Sequence, residues 1–318
     1  MTAKRVAAVV IAVVLVVAAL LIRNGLDDNS SSATQGSDKP SNGKVTVICS
    51  TEFEAICDAL DSKKYAVRTE SAGDTLDQLA KAGAVLPDAW ITLDPFPGMI
   101  DEMRRVNSVT ATNPTVSVIA TDSPMLAVAK ALLGPVETLC GATVSWKCIG
   151  TQAGAPLAGG GTMRPGITDP DSEAGGLVSF ANAVAGYFNN VTSDPSLWSD
   201  PQFVKWHRSF HSSAKVTVSE AGEAPLSTLI LRKTLVNVAA TTSVEIKNSK
   251  QPGAFAAFPI NPAIDYSAVV ATFTNRAGDL AAKVTASLVT AGWAQASDHQ
   301  PTLPAGTFVA LRRLWEGK

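Results

Sequence analysis

Charge is scarce in this sequence. Asp, Glu, Lys and Arg make up 17% of its 318 residues, and 28 acids against 26 bases leave a formal net charge of −2. A nucleic-acid binder gathers a basic excess on one face, so that class is excluded. Histidine is nearly absent as well: His207, His211 and His299 leave little acid–base machinery. No G-x-S-x-G elbow and no H-E-x-x-H is present, and Gly159-Gly160-Gly161-Thr162 lacks the Gly-Lys-Ser/Thr that would make it a phosphate loop. No catalytic residue, cofactor or metal site is therefore assigned. His207 and His211 stand four apart in a helical stretch beside Arg208, with no third ligand, and read as a surface pair. Disorder is excluded in turn, because 46% of the residues are hydrophobic.

Part of that apolar content is concentrated at the N-terminus. Lys4 and Arg5 precede an unbroken apolar run from Val6 to Ile22, closed by Arg23. Such a run makes roughly 26 Å of helix, the short end of what spans a bilayer. A cleavable signal is the alternative, with Ala19 as a cut point, but Leu20, Leu21 and Ile22 carry the apolar run past it. Residues 1–23 thus read as a single transmembrane anchor in the lipid bilayer through 6–22, or as a secretory signal. The basic flank stays inside, which places the rest outside the cytoplasm: a single-pass cell-membrane protein, or a secreted one if the segment is cleaved. Residues 24–43 are rich in Ser, Asn, Asp and Gly and read as a flexible tether. Residues 44–318 read as the folded part.

Four cysteines form two local pairs of equal separation, Cys49 with Cys57 and Cys140 with Cys148. Three connectivities exist, and proximity favours these two as disulfides in an oxidising compartment. The C-x-x-C knuckles of a zinc site are missing.

Apolar periodicity then sets out the elements. Val45 to Ile48 is a short strand, and Thr51-Glu52-Phe53-Glu54 fits a capping box opening a helix on which Phe53, Ile56, Cys57 and Leu60 recur. A strand from Tyr65 to Thr69, a short helix with Asp74 as N-cap, and a strand over Asp88–Thr92 complete an α/β beginning. Val116–Ala120 and Met125–Ala129 are strands parted by Thr121–Pro124, where the chain passes into a second lobe. Ile167–Ser172 introduces a helix bearing Leu177, Phe180, Ala181, Val184 and Phe188. Leu235–Ala240 reads as a strand, and the last strong helix runs from about Arg276 to Ala291. Trp90 and Trp146 read as core or cleft wall, Tyr65 and Phe53 as core, and Asp58 and Asp61 as exposed.

Three strand-to-helix junctions carry small hydroxyls or acids: Ser50-Thr51, Ser71–Asp74 and Thr168–Ser172. Helix N-termini offer free N–H groups, and ligands of open α/β sheets sit beyond the carboxyl ends of the strands. Each junction by itself is also an ordinary N-cap.

Ser71 to Pro95, SAGDTLDQLAKAGAVLPDAWITLDP, resembles a stretch of the type II periplasmic solute-binding proteins, the molybdate-binding kind in particular. Asp122–Lys130 is similar to their entry strand into the second lobe, and Thr168-Asp169-Pro170 with Gly175-Gly176-Leu177 to a helix start. Thr242–Glu245 and Ile264–Tyr266 resemble their return segment. The Pro87–Ile91 variant also resembles a binding-protein-like domain found beside von Willebrand A domains in actinobacterial membrane proteins. The resemblance implies an α/β, two-lobed type II fold behind the N-terminal helix. Lobe one would hold about 44–120 and 240–318, and lobe two about 121–239. It also implies a cleft that binds a small polar solute or oxyanion through Ser50, Thr51, Ser71, Gly73, Thr92, Ser123, Thr168, Asp169 and Ser243, in partnership with a permease. Asp169, Asp171 and Glu173 depart from the neutral hydroxyl and amide sites of the molybdate type, because carboxylates repel a dianion. The competing expectation is a ligand-free interaction module in a membrane protein complex.

Overall fold

The computed structural model describes residues 43–191, 194–214, 224–296 and 303–317. The apolar run 6–22 and nearly all of the tether lie outside the described residues. Within them no helix is long and apolar enough to cross a membrane.

The chain builds two sheets. The first is started by β1 (Val45–Ser50), β2 (Tyr65–Glu70) and β3 (Ala89–Leu93), with β1 between the other two and parallel to both. Parallel strands are covered on both faces, which is why β3, Ala-Trp-Ile-Thr-Leu, is buried at every position. β4 (Thr115–Asp122) ends at a single residue, Ser123, beyond which β5 (Pro124–Ala129) belongs to the second sheet. That sheet has the order β6-β7-β5-β8, where β6 is Pro165–Gly166, β7 Val238–Thr242 and β8 Phe255–Pro259. β9 (Tyr266–Thr272) returns to the first sheet between β3 and β4, antiparallel to both, and β10 (Ala294–Gln295) closes its edge on β4. The order of the first sheet is β10-β4-β9-β3-β1-β2.

Four local expectations are corrected. The return to the first sheet lies at 260–265 and not near Ala240, because β7 and β8 both pair with β5. The capping box is not made: Ser50 precedes a 3-10 turn over Thr51–Phe53 without a side-chain cap, and the Thr51 hydroxyl is engaged elsewhere. The cap of the Ala72–Leu79 helix is Ser71, whose Oγ accepts from the Asp74 amide at 3.1 Å. The C-terminal stretch carries its own helix, Ala305–Glu316, with Phe308, Val309, Leu311 and Trp315 buried.

Two disulfides are present, Cys49–Cys57 and Cys140–Cys148. The first ties β1 to the Glu54–Asp58 helix and is buried, with Cys49 and Cys57 at 0% and 1% exposure. One core runs under both sheets, from Trp90 and Phe96 to Trp146 and Phe180. A smaller one, with Leu226, Leu229, Val236 and Phe255, lies against the second sheet.

A fifth correction concerns the histidine pair, which is half-buried in an aromatic rack. The helix Pro201–Ala214 stacks Trp206 on Phe210 at 5.3 Å, Phe180 lies 5.6 Å from His207, and Trp315 lies 4.5 Å from His211. Burial, seconded by His211, lowers the His207 pKa to about 4, and among the described residues its Nε2 has no hydrogen-bond partner. His207 therefore stays neutral in the fold, while the unfolded chain takes up a proton near pH 6.5. Stability is intact above that value and is lost as the pH falls towards 4, by up to about 3 kcal/mol. Melting curves of wild type and His207→Phe between pH 8 and pH 4 check this. The wild type loses that increment relative to the variant, and parallel acid limbs would contradict it.

Candidate functional site

The junction after β1 meets the start of the Ala174–Phe188 helix, the element that follows β6 of the second sheet. Glu52 Oε1 accepts from the Gly175 amide at 2.9 Å, and Thr51 Oγ1 donates to Glu173 Oε2 at 2.5 Å. Two adjacent residues of one segment thus engage two of the other. A carboxylate at a helix N-terminus meets the positive end of the helix dipole and the unpaired amides. Glu52 retains solvent access, yet the protein crowding around it, reinforced by Glu173, raises its pKa to about 7. The Glu173 pKa is raised too, by desolvation and then by Asp169 and Asp74, against the lowering bond from Thr51.

A second acidic group gathers where the chain crosses between sheets. Asp122 at the end of β4 is 4% exposed and accepts from Ser243 Oγ at 2.5 Å and from the Val244 amide at 3.2 Å. It thereby holds the start of the Ser243–Asn248 helix, whose N-cap is Thr242, and pins the last strand before the crossing to the helix that follows β7 of the second sheet. Glu245 accepts from Thr241 Oγ1 at 2.6 Å, and its pKa is raised, first by desolvation and also by Asp122. The Asp265 pKa is raised by desolvation and by Asp122.

Tyr266 connects the two groups. Its hydroxyl shares a 2.7 Å hydrogen bond with Ser179 Oγ, and its pKa is raised, first by burial and also by Glu245 and Asp122. A Cβ built on Gly175 would lie 3.8 Å from the Tyr266 ring and 3.9 Å from Glu52 Oε1. Glu52 and Tyr266 therefore both border Gly175.

The turn before the helix is held against the first sheet's side of the molecule. The Gly73 amide donates to the Ser172 carbonyl at 2.8 Å. Arg312 forks onto Asp77 at 2.7 and 3.1 Å and reaches Asp171 Oδ1 at 2.8 Å, and Trp315 Nε1 donates to Asp169 at 3.1 Å. Farther along, the Asn182 amide nitrogen donates to the Ile264 carbonyl at 2.8 Å, and the Ile264 amide returns 2.8 Å to Asn182 Oδ1.

The residues expected from the sequence fall into three places. Thr51, Ser71, Gly73, Thr168 and Asp169 surround this turn or the helix it meets, with the Thr168 carbonyl pressed against Gly176. Ser123 and Ser243 meet at the crossing, where the Ser243 amide donates to the Ser123 carbonyl at 3.0 Å. Ser50 and Thr92 are buried beneath, hydrogen-bonded to each other at 2.9 Å, with Trp90 Nε1 on Ser50 Oγ at 3.2 Å. Reasoning from sequence missed Glu52, Glu173, Asp122, Glu245 and Tyr266 as site residues. Their signal was position, since each lies at a strand end or a helix start. Among the described residues no group of three or more His, Cys, Asp or Glu is gathered tightly enough to hold a metal ion.

The sequence matches no protein-family model and no curated protein. Some solved structures are similar to this chain. Iron-bound HitA from Pseudomonas aeruginosa superposes with a TM-score of 0.51 at 12% identity, over 86% of this chain and 99% of HitA. The periplasmic binding protein P5PA gives 0.46 at 13% identity, over 78% and 80% of the two chains. The sulfate-binding protein SubI from Mycobacterium tuberculosis H37Rv gives 0.46 at 8% identity, over 86% and 91%. With two mixed sheets, the chain has an α/β fold similar to that of HitA.

Proposed function

We propose that this chain is a membrane-tethered, extracytoplasmic solute-binding protein whose cleft takes a small polar ligand carrying positive charge. The observation that carries the ligand class is the row of carboxylates from Glu52 and Glu173 past Tyr266 to Glu245 and Asp122. An anion about 4 Å from one ionised carboxylate is repelled by on the order of 4 kcal/mol at an effective dielectric near 20, and a cation gains as much. The oxyanion of the molybdate-type resemblance fits this lining poorly. The carboxylates form two groups and not one point, which suits an amine or guanidinium compound with several donors. The tether and anchor are read from residues 1–43, and the second lobe's exposed face is the surface a permease would meet.

A second reading has its own support. The Ala174–Phe188 helix and its leading turn are already held by Thr51, Glu52, Gly73, Ile264, Tyr266 and Trp315 of the chain itself. That arrangement suits an interaction module in a membrane complex. Native mass spectrometry of the full chain, extracted in mild detergent from the cells that make it, separates the two. A retained small molecule that denaturation releases supports solute capture. A defined protein partner with no small molecule supports the module and overturns solute capture.

A further inference from the structure

The first sheet sets one end of the molecule apart. β1, β2 and β3 are parallel, with Val45 opposite Tyr65 and Val47 opposite Ala89, so the segments leading into them lie together. β9 runs the other way, and Thr272 stands opposite both Ala89 and Thr115, which adds 273–279 and 107–114 to the same end. The junction after β1 lies at the other end, about 20 Å away along a six-residue strand. Two features mark the first end. Its segments 43–44, 61–64, 81–88, 107–114 and 273–279 carry five cations, Lys44, Lys63, Lys64, Lys81 and Arg276, against three acids, Asp61, Asp88 and Asp279, in a chain whose net charge is −2. Asp88 is buried, and Asp279 is shared by Lys64 and Lys283, a sixth cation. The second feature is apolar exposure. Val85 and Leu86, in the loop before β3, are 74% and 37% exposed, and Val106, at the end of the Phe96–Val106 helix, is 49% exposed. Arg104 holds loop and helix together by donating to the Leu79 and Lys81 carbonyls at 2.7 and 3.0 Å. A cavity of about 420 Å³ beside them is lined in part by Ala80, Ala82, Met103 and Val109, so the apolar surface continues inward.

We propose that this end of the first sheet is a membrane-docking face, which seats Val85, Leu86 and Val106 in the interface of an anionic lipid bilayer with Lys44, Lys63, Lys64 and Lys81 around them. Apolar side chains ringed by cations suit such a surface, because the apolar groups enter the headgroup boundary while the cations meet lipid phosphates. The choice of lipid follows from where the chain enters the fold. It arrives at Lys44, within this face, from a preceding sequence that holds the apolar run 6–22. Read as a tether, the segment 24–43 spans about 25 Å as a random coil, which keeps the face within reach of the bilayer. The proposal rests on the anchor reading of 6–22 and not on any ligand. Docked in this way, the junctions after β1 and β2 point away from the lipid.

Hydrogen exchange of the full chain tests it, compared in detergent, in nanodiscs of phosphatidylcholine and in nanodiscs that add phosphatidylglycerol. Segment 82–87 is expected to exchange roughly fivefold more slowly in the anionic discs than in detergent, with the neutral discs between. Val85→Ser with Leu86→Ser, and separately Lys63→Glu, each measured against its own detergent control, should lose that slowing. Unchanged protection of β1 in the same spectra shows that every protein is folded. A chain that does not co-elute with the discs overturns the anchor and the proposal with it. A chain held in the anionic discs whose 82–87 exchanges as in detergent overturns the docking face and leaves the anchor standing. Protection already complete in detergent also overturns it, and assigns the face to a retained protein or a second copy of this chain.

Discussion

Replacing Gly73 with Ala is expected to destabilise the fold by about 3 kcal/mol, a large effect for the addition of one methyl group. The Cβ would stand 2.1 Å from the Asp171 carbonyl oxygen and 2.9 Å from the Ser172 Cα. Both are backbone atoms, so no side chain can swing aside. Either the Ala72–Leu79 helix or the turn at 169–173 must move, and with it the Gly73–Ser172 hydrogen bond is lost. For a domain of this size the melting midpoint falls by roughly 6 to 12 °C. Gly253→Ala is the control, because a Cβ there meets nothing within 4 Å and the φ is not left-handed. It should change stability by less than about 1 kcal/mol. A Gly73→Ala midpoint equal to that of the control would show that the turn does not pack as described.

Arg312→Ala attacks the same turn from the other side. The guanidinium is 8% exposed and holds Asp77 with two bonds and Asp171 with a third, plus 3.1 Å to the Asp171 carbonyl. Removing one partner from a buried ion pair costs about 3 to 5 kcal/mol. The two carboxylates are 48% and 44% exposed, so water takes up part of the loss and the lower end, about 3 kcal/mol, is expected. Arg312→Lys should fall between, since a point charge cannot fork across Asp77 and Asp171 together. Because Gly73 and Arg312 fix one turn, the double variant should lose measurably less than the sum of the single losses. Strict additivity, read from denaturant unfolding, would mean that the two contacts hold separate parts of the molecule.

Much of the architecture was legible because burial writes itself into apolar runs. Val45–Ile48, Tyr65–Thr69 and Met125–Ala129 are strands in the structure as in the sequence, and the short spacing of the cysteines matched their pairing. Local rules failed where tertiary contacts outbid them. Thr51 leaves its capping role because Glu173, far along the chain, accepts its hydroxyl. The helix Phe96–Val106 was hidden by Pro95, Pro97 and Gly98, which look like breakers but sit in the first turn, where proline is tolerated. The C-terminal helix carried a readable signal, Phe308, Leu311 and Trp315 at helical spacing, and with it came Arg312 and its hold on Asp171. The site was legible only as a set of junctions. Ser50 and Thr92 have the residue types of a ligand set but face each other in the interior, whereas Glu52 and Asp122 gain their character from segments more than a hundred residues away. No local pattern encodes such meetings.

The central claim, capture of a cationic solute in a carboxylate-lined cleft, is tested most directly by thermal-shift measurements on the full chain in detergent. The panel should set amines, guanidinium compounds and basic amino acids beside sulfate, molybdate, neutral sugars and divalent metals. A true ligand at 100 times its dissociation constant adds about 2.7 kcal/mol, which raises the midpoint by several degrees. The account predicts that rise with one organic cation and its close relatives, and its loss in Glu173→Gln. A rise produced by an oxyanion and by none of the cations would contradict it, as would a flat response across the whole panel from a folded protein.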